Sequence, residues 1–184
     1  MAEQAAGGAP ARGAQPAVVV IGVGNALRQD DGAGLEVARR LRGRADAAET
    51  GVGAALAMPA ELAVLEYEGE PLGLLELWEG ARGAVLVDAI RSGAAPGTIH
   101  RVDASREPIP APLRGSSSTH AVGVGDAIEL ARALGRLPAR VVVYGVEGAC
   151  FDAGSGLSGE VEGVVDSLAE AVLREARELA VVSR

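Results

Sequence analysis

The sequence predicts an α/β fold: one three-layer domain in which a twisted, mostly parallel sheet of about five strands is flanked by helices. Three observations predict it. Short β-branched apolar runs recur along the chain and alternate with segments of helical periodicity, the pattern of strand–helix–strand units. The 184 residues, 48% hydrophobic, suit one full core rather than two. Aromatics make up only 2%, so that core must be built of Ala, Val, Leu and Ile, and 26 glycines let its layers approach closely.

Residues 1–16 are Ala, Gly, Gln and Pro without an apolar stretch, which reads as a disordered N-terminal extension rather than a secretory signal. The single domain is expected over 17–184. Ala17 to Ile21 is the first strand, fully apolar as in a buried parallel sheet. A turn at Gly22 to Asn25 follows. A helix is then expected from about Asp31 to Leu41, with Gly34, Val37, Ala38 and Leu41 on one stripe. Gly43 to Pro59 has no clear period and reads as a loop with room for a short helix.

Leu62 to Tyr67 is the second strand, and Pro71 suits the first position of a helix that turns Leu74, Leu75 and Trp78 inward. Ala84 to Asp88 is the third strand. After the Ala95-Pro96-Gly97 turn, Thr98 to Val102 is more polar and reads as an edge strand. Ser105 to Thr119, punctuated by Pro108, Pro110 and Pro112, reads as irregular. A helix is expected from about Val122 to Leu134 on Val124, Ala127, Ile128 and Ala131, stopped by Gly135 and Pro138. Arg140 to Val146 is the next strand. Gly159 to Val182 is the last helix, with Val161, Val164, Val165, Leu168 and Val172 inward.

Several function classes fall away. A net charge of −8 with scattered arginines gives no basic surface for nucleic acid. No apolar run approaches the roughly 18 residues of a membrane span. One cysteine, Cys150, excludes an internal disulfide or a Cys-rich zinc site and fits a reducing cytoplasm. Gly22-Val23-Gly24 begins like a dinucleotide fingerprint, but position 27 is Leu27 rather than Gly. There is no Walker-type phosphate loop and no GxSxG elbow around Ser116 to His120. Cys150 reads as an ordinary thiol.

Ligands of open parallel sheets bind beyond the carboxyl ends of the strands. Three polar positions fall on that edge: Asp30-Asp31 after the first strand, Asp88 ending the third, and His120 ahead of a helix. Two carboxylates and an imidazole would make an O/O/N site for a divalent transition metal. Each residue also has a plain structural reading. Asp30 and Asp31 could cap a helix, Asp88 could satisfy turn amides, and His120 could line a loop. His100, inside a strand, gets only the structural reading.

The four blocks that carry these residues resemble a known family. Gly22 to Gly34 resembles the opening G-x-G-N-x-L-x-x-D-[DE]-G-x-G signature of hydrogenase maturation proteases. Val87 to Ile90 with Pro96 to Ile99 resembles the second block, and Ser118-Thr119-His120 leading into Gly123 to Ile128 the third. Gly145 to Gly148, with Phe151-Asp152 and Gly156 to Ser158, resembles the C-terminal block. The likeness runs from about Val18 to Leu173. It implies a hydrolase of aspartyl-type endopeptidase activity that removes the C-terminal extension of the nickel–iron hydrogenase large subunit after nickel insertion. It also implies that Asp31, Asp88 and His120 are both metal ligands and catalytic residues, toward nickel supplied by the substrate protein. A cytoplasmic monomer is expected. Gly24, Asn25 and Gly69 could shape the peptide-binding cleft, since glycines let a substrate backbone approach closely, or could merely make turns.

Two positions depart from the pattern. Asp31 stands where some members have the longer Glu, and Glu68-Gly69-Glu70-Pro71 replaces a Gly-Gly-Thr-like loop. Three alternatives stand beside this reading: a non-catalytic nickel-binding or chaperone-like relative, a nucleotide-binding α/β domain, and a peptidase whose substrate is not a hydrogenase.

Overall fold

A computed structural model describes residues 16–49, 61–111 and 123–182. The proposed extension at 1–16 therefore lies almost wholly outside the described residues, as do residues 50–59 of the expected loop, 112–119 of the expected irregular stretch, and His120.

Strand β1 (Val18–Val23) leads through a 3-10 turn (Gln29–Gly32) into helix α1 (Ala33–Glu49). Then come β2 (Leu62–Tyr67), a 3-10 turn at Pro71–Gly73, the short α2 (Leu74–Leu77), β3 (Gly83–Ile90) and β4 (Ile99–Asp103). Helix α3 (Val124–Ala133), β5 (Arg140–Glu147) and the long α4 (Gly159–Val182) complete the chain. The five strands form one sheet in the order β2-β1-β3-β5-β4. All neighbours pair in parallel except β4, which runs antiparallel to β5 as the edge strand. No helix among the described residues is long and apolar enough to cross a membrane.

Alternation along the strands divides the core in two. Val18 and Val20 of β1 join Val85 and Val87 of β3 on the face covered by α1 and α4. Val19, Ile21, Ala84 and Leu86 point the other way, against α2 and α3, where Trp78 is buried. β1 and β3 are apolar on both faces because both faces are covered. On α3, Val124, Ala127, Ile128 and Ala131 are all buried, as the periodicity required. Its end is a Schellman turn: Arg136 N donates to Ala131 O, Gly135 N donates to Arg132 O, and Gly135 takes φ 67°.

Several boundaries differ from the sequence reading. β1 runs on to Val23, two residues into the stretch read as a turn. β3 does not stop at Asp88 but continues to Ile90. Asp88, Ala89 and Ile90 keep pairing with Gly145, Val146 and Glu147, so a partner strand, not a local signal, sets the end. The first helix begins at Ala33 rather than Asp31, because Asp30 and Asp31 belong to the preceding 3-10 turn. That helix also runs on to Glu49, into the segment read as a loop.

Candidate active site at the crevice between two parallel strands

The strand order reverses direction between β1 and β3: the chain leaves β1 for β2 on one side and returns to β3 on the other. Crossovers depart to opposite sides at such a point and open a crevice beyond the carboxyl ends of the two strands. Asp31 stands just past β1, and Asp88 near the end of β3. The register that pairs Gly22 with Val87 brings these two segments side by side.

Glycines set how tightly the segments close. A Cβ on Gly34, at the start of α1, would sit 2.3 Å from both the Val23 and Val87 carbonyl oxygens. One on Gly22 would lie 2.0 Å from Gly34 O, and one on Gly24 1.9 Å from Asp31 O. The helix start is thus pressed into the β1/β3 seam, and only glycine fits.

The two adjacent aspartates have separate tasks. Asp30 is fully buried. Its Oδ2 accepts the Ala149 and Cys150 amides at 2.8 and 2.9 Å and the Ser158 hydroxyl at 2.9 Å; its Oδ1 accepts the Ser158 amide at 2.6 Å. Burial pushes the Asp30 carboxyl up, but these donors more than offset it and hold it below the usual carboxylate range. For Asp30 the role is not that of a simple helix cap, since its four donors come from residues 149–158. Asp30 instead ties the first sequence block to the C-terminal one. Around it, Arg28 Nη2 donates to Phe151 O at 2.9 Å, Asp30 N to Cys150 O, and Arg28 and Gly154 form a β-bridge.

Asp31 is also buried, and Asp88 is partly so. Burial first, and then the nearby charge of Asp31, push the Asp88 carboxyl up to about 8; the Ala89 amide only partly counters this. A pair of carboxylates thus shares one desolvated crevice. Among the described residues no group of three His, Cys, Asp or Glu side chains is arranged to hold a metal ion. The third member of the expected trio, His120, lies outside them.

The other singled-out residues are placed as follows. Asn25 Oδ1 accepts the Leu27 amide at 2.9 Å, and Gly24 N donates to Tyr67 O, so both residues shape the turn leading to Asp31. Gly69 is exposed, and a Cβ there would strike the Tyr67 ring at 2.6 Å. Tyr67 in turn donates its hydroxyl to Glu70 O at 2.8 Å, which folds the Glu68 to Pro71 loop against the end of β2. Cys150 is partly exposed, with Sγ 3.6 Å from Asp152 Oδ2. His100 sits in β4 as expected.

One anchor was not assigned a role from sequence. Glu147, the last residue of β5, is buried and accepts the Ser92 and Gly93 amides at 2.9 Å and the Ser92 hydroxyl at 2.7 Å. It fixes the loop that leaves β3 after Asp88. Burial raises its carboxyl; the Ser92 and Gly93 donors and the His100 charge bring it below its ordinary range. The available signal was its position: a carboxylate closing a strand on the same sheet edge as Asp88.

Comparison with known proteins agrees with this architecture. A family model described as hydrogenase maturation protease matches residues 54–175. The hydrogenase expression/formation protein HupD of Rhodobacter capsulatus is 33% identical over 163 residues, 87% of this chain and 71% of that protein. The hydrogenase 2 maturation protease of Escherichia coli K12 is 27% identical, over 88% of this chain and 91% of its own length. The solved structure of the hydrogenase maturating endopeptidase HybD from E. coli superposes with a TM-score of 0.68 at 25% identity, covering 88% of this chain and 92% of that one. With a five-stranded sheet of this order and a carboxylate-lined crevice at its switch point, the chain belongs to the hydrogenase maturation protease family.

Proposed function

We propose that this protein removes the C-terminal extension of a nickel–iron hydrogenase large-subunit precursor after nickel insertion, and that Asp31, Asp88 and His120 gather on the precursor's nickel. The observation that carries the reading is the pairing of Asp31 with Asp88 in the β1/β3 crevice. Two carboxylates crowded in a low-dielectric site repel each other, and a divalent cation relieves that repulsion. Carboxylate oxygens with an imidazole nitrogen suit a borderline metal such as nickel. When bound, the metal would polarise the scissile carbonyl or lower the pKa of a water.

The chain's own groups do the rest. Asp31, whose backbone packs against Gly24, and Asp88, held by β3, orient the metal-bearing segment of the precursor. A carboxyl near 8, such as that of Asp88, can exchange a proton with an attacking water or a leaving amine at neutral pH. Gly24, Asn25 and Gly69 offer close backbone approach to the extended peptide. The reading is of direct water attack by a cytoplasmic monomer.

The test is large-subunit trimming followed on gels with Asp88→Ala and His120→Ala. Both variants are expected to stay folded by circular dichroism and to leave the precursor uncut. Trimming at the unchanged rate by both would remove the assigned site. Nickel titration by calorimetry alongside would expose a binding protein without peptidase activity: a normal isotherm with no cleavage by the unmodified chain.

A further inference from the structure

Among the described residues, Gln29 is the one residue other than glycine with a positive φ, 49°. A side chain in the left-handed region is strained, and such strain persists only where the surroundings over-determine it, often at functional sites. Gln29 N donates to Gly154 O, and Asp30, the next residue, is clamped by donors from Ala149, Cys150 and Ser158. The C-terminal block thus fixes the backbone here, two residues ahead of Asp31.

Gln29 lines a concavity of about 240 Å3 between α1 and the start of α4, together with Gly156 and with Gly32, which follows Asp31 in the chain. Gln29 is partly exposed, and its amide lies alongside Gly154, with Nε2 3.2 Å from where a Cβ of that residue would stand. Asn25, Arg28 and Asp30 use their side chains to hold the loop, whereas that of Gln29 holds nothing among the described residues. The charges that line the concavity cancel. Arg40 bonds Glu36 at 2.9 Å and Glu162 at 2.7 Å, and Arg39 turns to Glu66 at 2.8 Å. A neutral polar group therefore fits better than an ion. A carboxamide both donates and accepts, which makes it the complement of a peptide group. The volume lies below the roughly 300–1,000 Å3 of whole-ligand pockets and suits a short stretch of main chain.

We propose that Gln29 is a substrate-binding residue: its amide pairs with a main-chain peptide group of the large-subunit precursor and seats that segment in the concavity beside the Asp31 turn. The identity of the ligand rests on the peptidase reading.

Gln29→Gly removes the side chain and relaxes the backbone at once. Glycine adopts this φ without strain, so Tm should rise or stay within about 3 °C of that of the unmodified chain. Trimming of the nickel-loaded precursor should show KM raised about tenfold and kcat changed by less than about twofold, as expected for two neutral hydrogen bonds lost from binding. Gln29→Glu keeps an acceptor and loses the donor, so its KM should fall between the two. Calorimetry with the precursor in an Asp88→Ala background, where nothing is cut, should show Kd raised about tenfold by Gln29→Gly. KM and Kd both unchanged would overturn the proposal, as would a loss confined to kcat. If replacing every Asn and Gln of the extension by Ala abolishes the tenfold difference, the pairing is to a side chain and the main-chain assignment fails. An unmodified chain that leaves the precursor uncut sinks the peptidase reading instead, while the Kd comparison still decides the role of Gln29. A precursor that does not bind at all overturns both.

Discussion

Replacing Asp30 should damage the stability of the active-site end more than replacing either carboxylate facing the crevice. Four donors converge on it, three of them backbone amides. In Asp30→Ala those amides lose a charged acceptor. Each orphaned donor costs about 1–3 kcal/mol when buried, and the lower end applies because this region is only partly shielded from water. The sum is about 3–5 kcal/mol, which for a chain of this length lowers Tm by about 10–15 °C. Asp30→Asn is milder. Its oxygen can replace Oδ2 and keep three bonds, while its amide meets the Ser158 N–H donor to donor, so about 1–3 kcal/mol is lost.

The same argument fixes a pH dependence. The folded carboxyl lies below its unfolded value of about 3.9, so its contribution is complete above that value. It is lost as pH falls through the folded value. Calorimetry from neutral pH down to about pH 3 should therefore give a flatter acid limb for Asp30→Asn than for the unmodified chain. A Tm for Asp30→Ala within about 3 °C of the unmodified chain would refute the clamp.

Other substitutions read different parts of the structure. Gly34→Ala drives a methyl group into the Val23 and Val87 carbonyls, so a loss of at least about 3 kcal/mol in urea unfolding is expected, with much of the protein insoluble on expression. Asp88 titrates in the opposite sense to Asp30. With its folded value raised to about 8, its stabilising contribution is whole below pH 4 and drains away as pH climbs to about 8, so Asp88→Asn should gain Tm relative to the unmodified chain at pH 8 and not at pH 4. Arg40 of α1 links Glu36 to Glu162 and Asp166 of α4, but these partners are largely solvated. Arg40→Ala should cost only about 1 kcal/mol, and the effect should shrink in high salt.

Elements defined by their own periodicity were legible from sequence. β2 at Leu62–Tyr67 and the helix at Gly159–Val182 end where the pattern ends, and the Gly135 stop is a true left-handed helix terminus. What escaped was set by distant partners. Whether β3 stops at Asp88 or Ile90 depends on how far β5 accompanies it, and nothing within residues 83–90 records that. Likewise the Asp30-Asp31 pair reads as a helix start because two acids before an apolar stripe usually are one. The acceptor role of Asp30 becomes visible only when residues 149–158, more than a hundred positions away, fold back over it. The residue pattern placed both carboxylates on the sheet edge where the structure has them, but only the family resemblance singled out Asp31 over Asp30.

That division of labour changes how the four resembling blocks should be understood. The C-terminal block contains no residue of the proposed trio, yet it too resembles the family. Its backbone explains why. The amides of Ala149, Cys150 and Ser158 hold Asp30, and the Phe151 carbonyl holds Arg28, so this block builds the outer wall of the turn that aims Asp31. Glu147, at its start, does the corresponding service for β3 by pinning Ser92 and Gly93 beyond Asp88. Both carboxylates of the crevice are thus supported from one segment, and from opposite sides. Two carboxylates crowded into one crevice need such bracing, because the cheapest relief of their repulsion would otherwise be for one loop to swing away. The block without chemistry of its own is what keeps the chemistry of the other blocks in place.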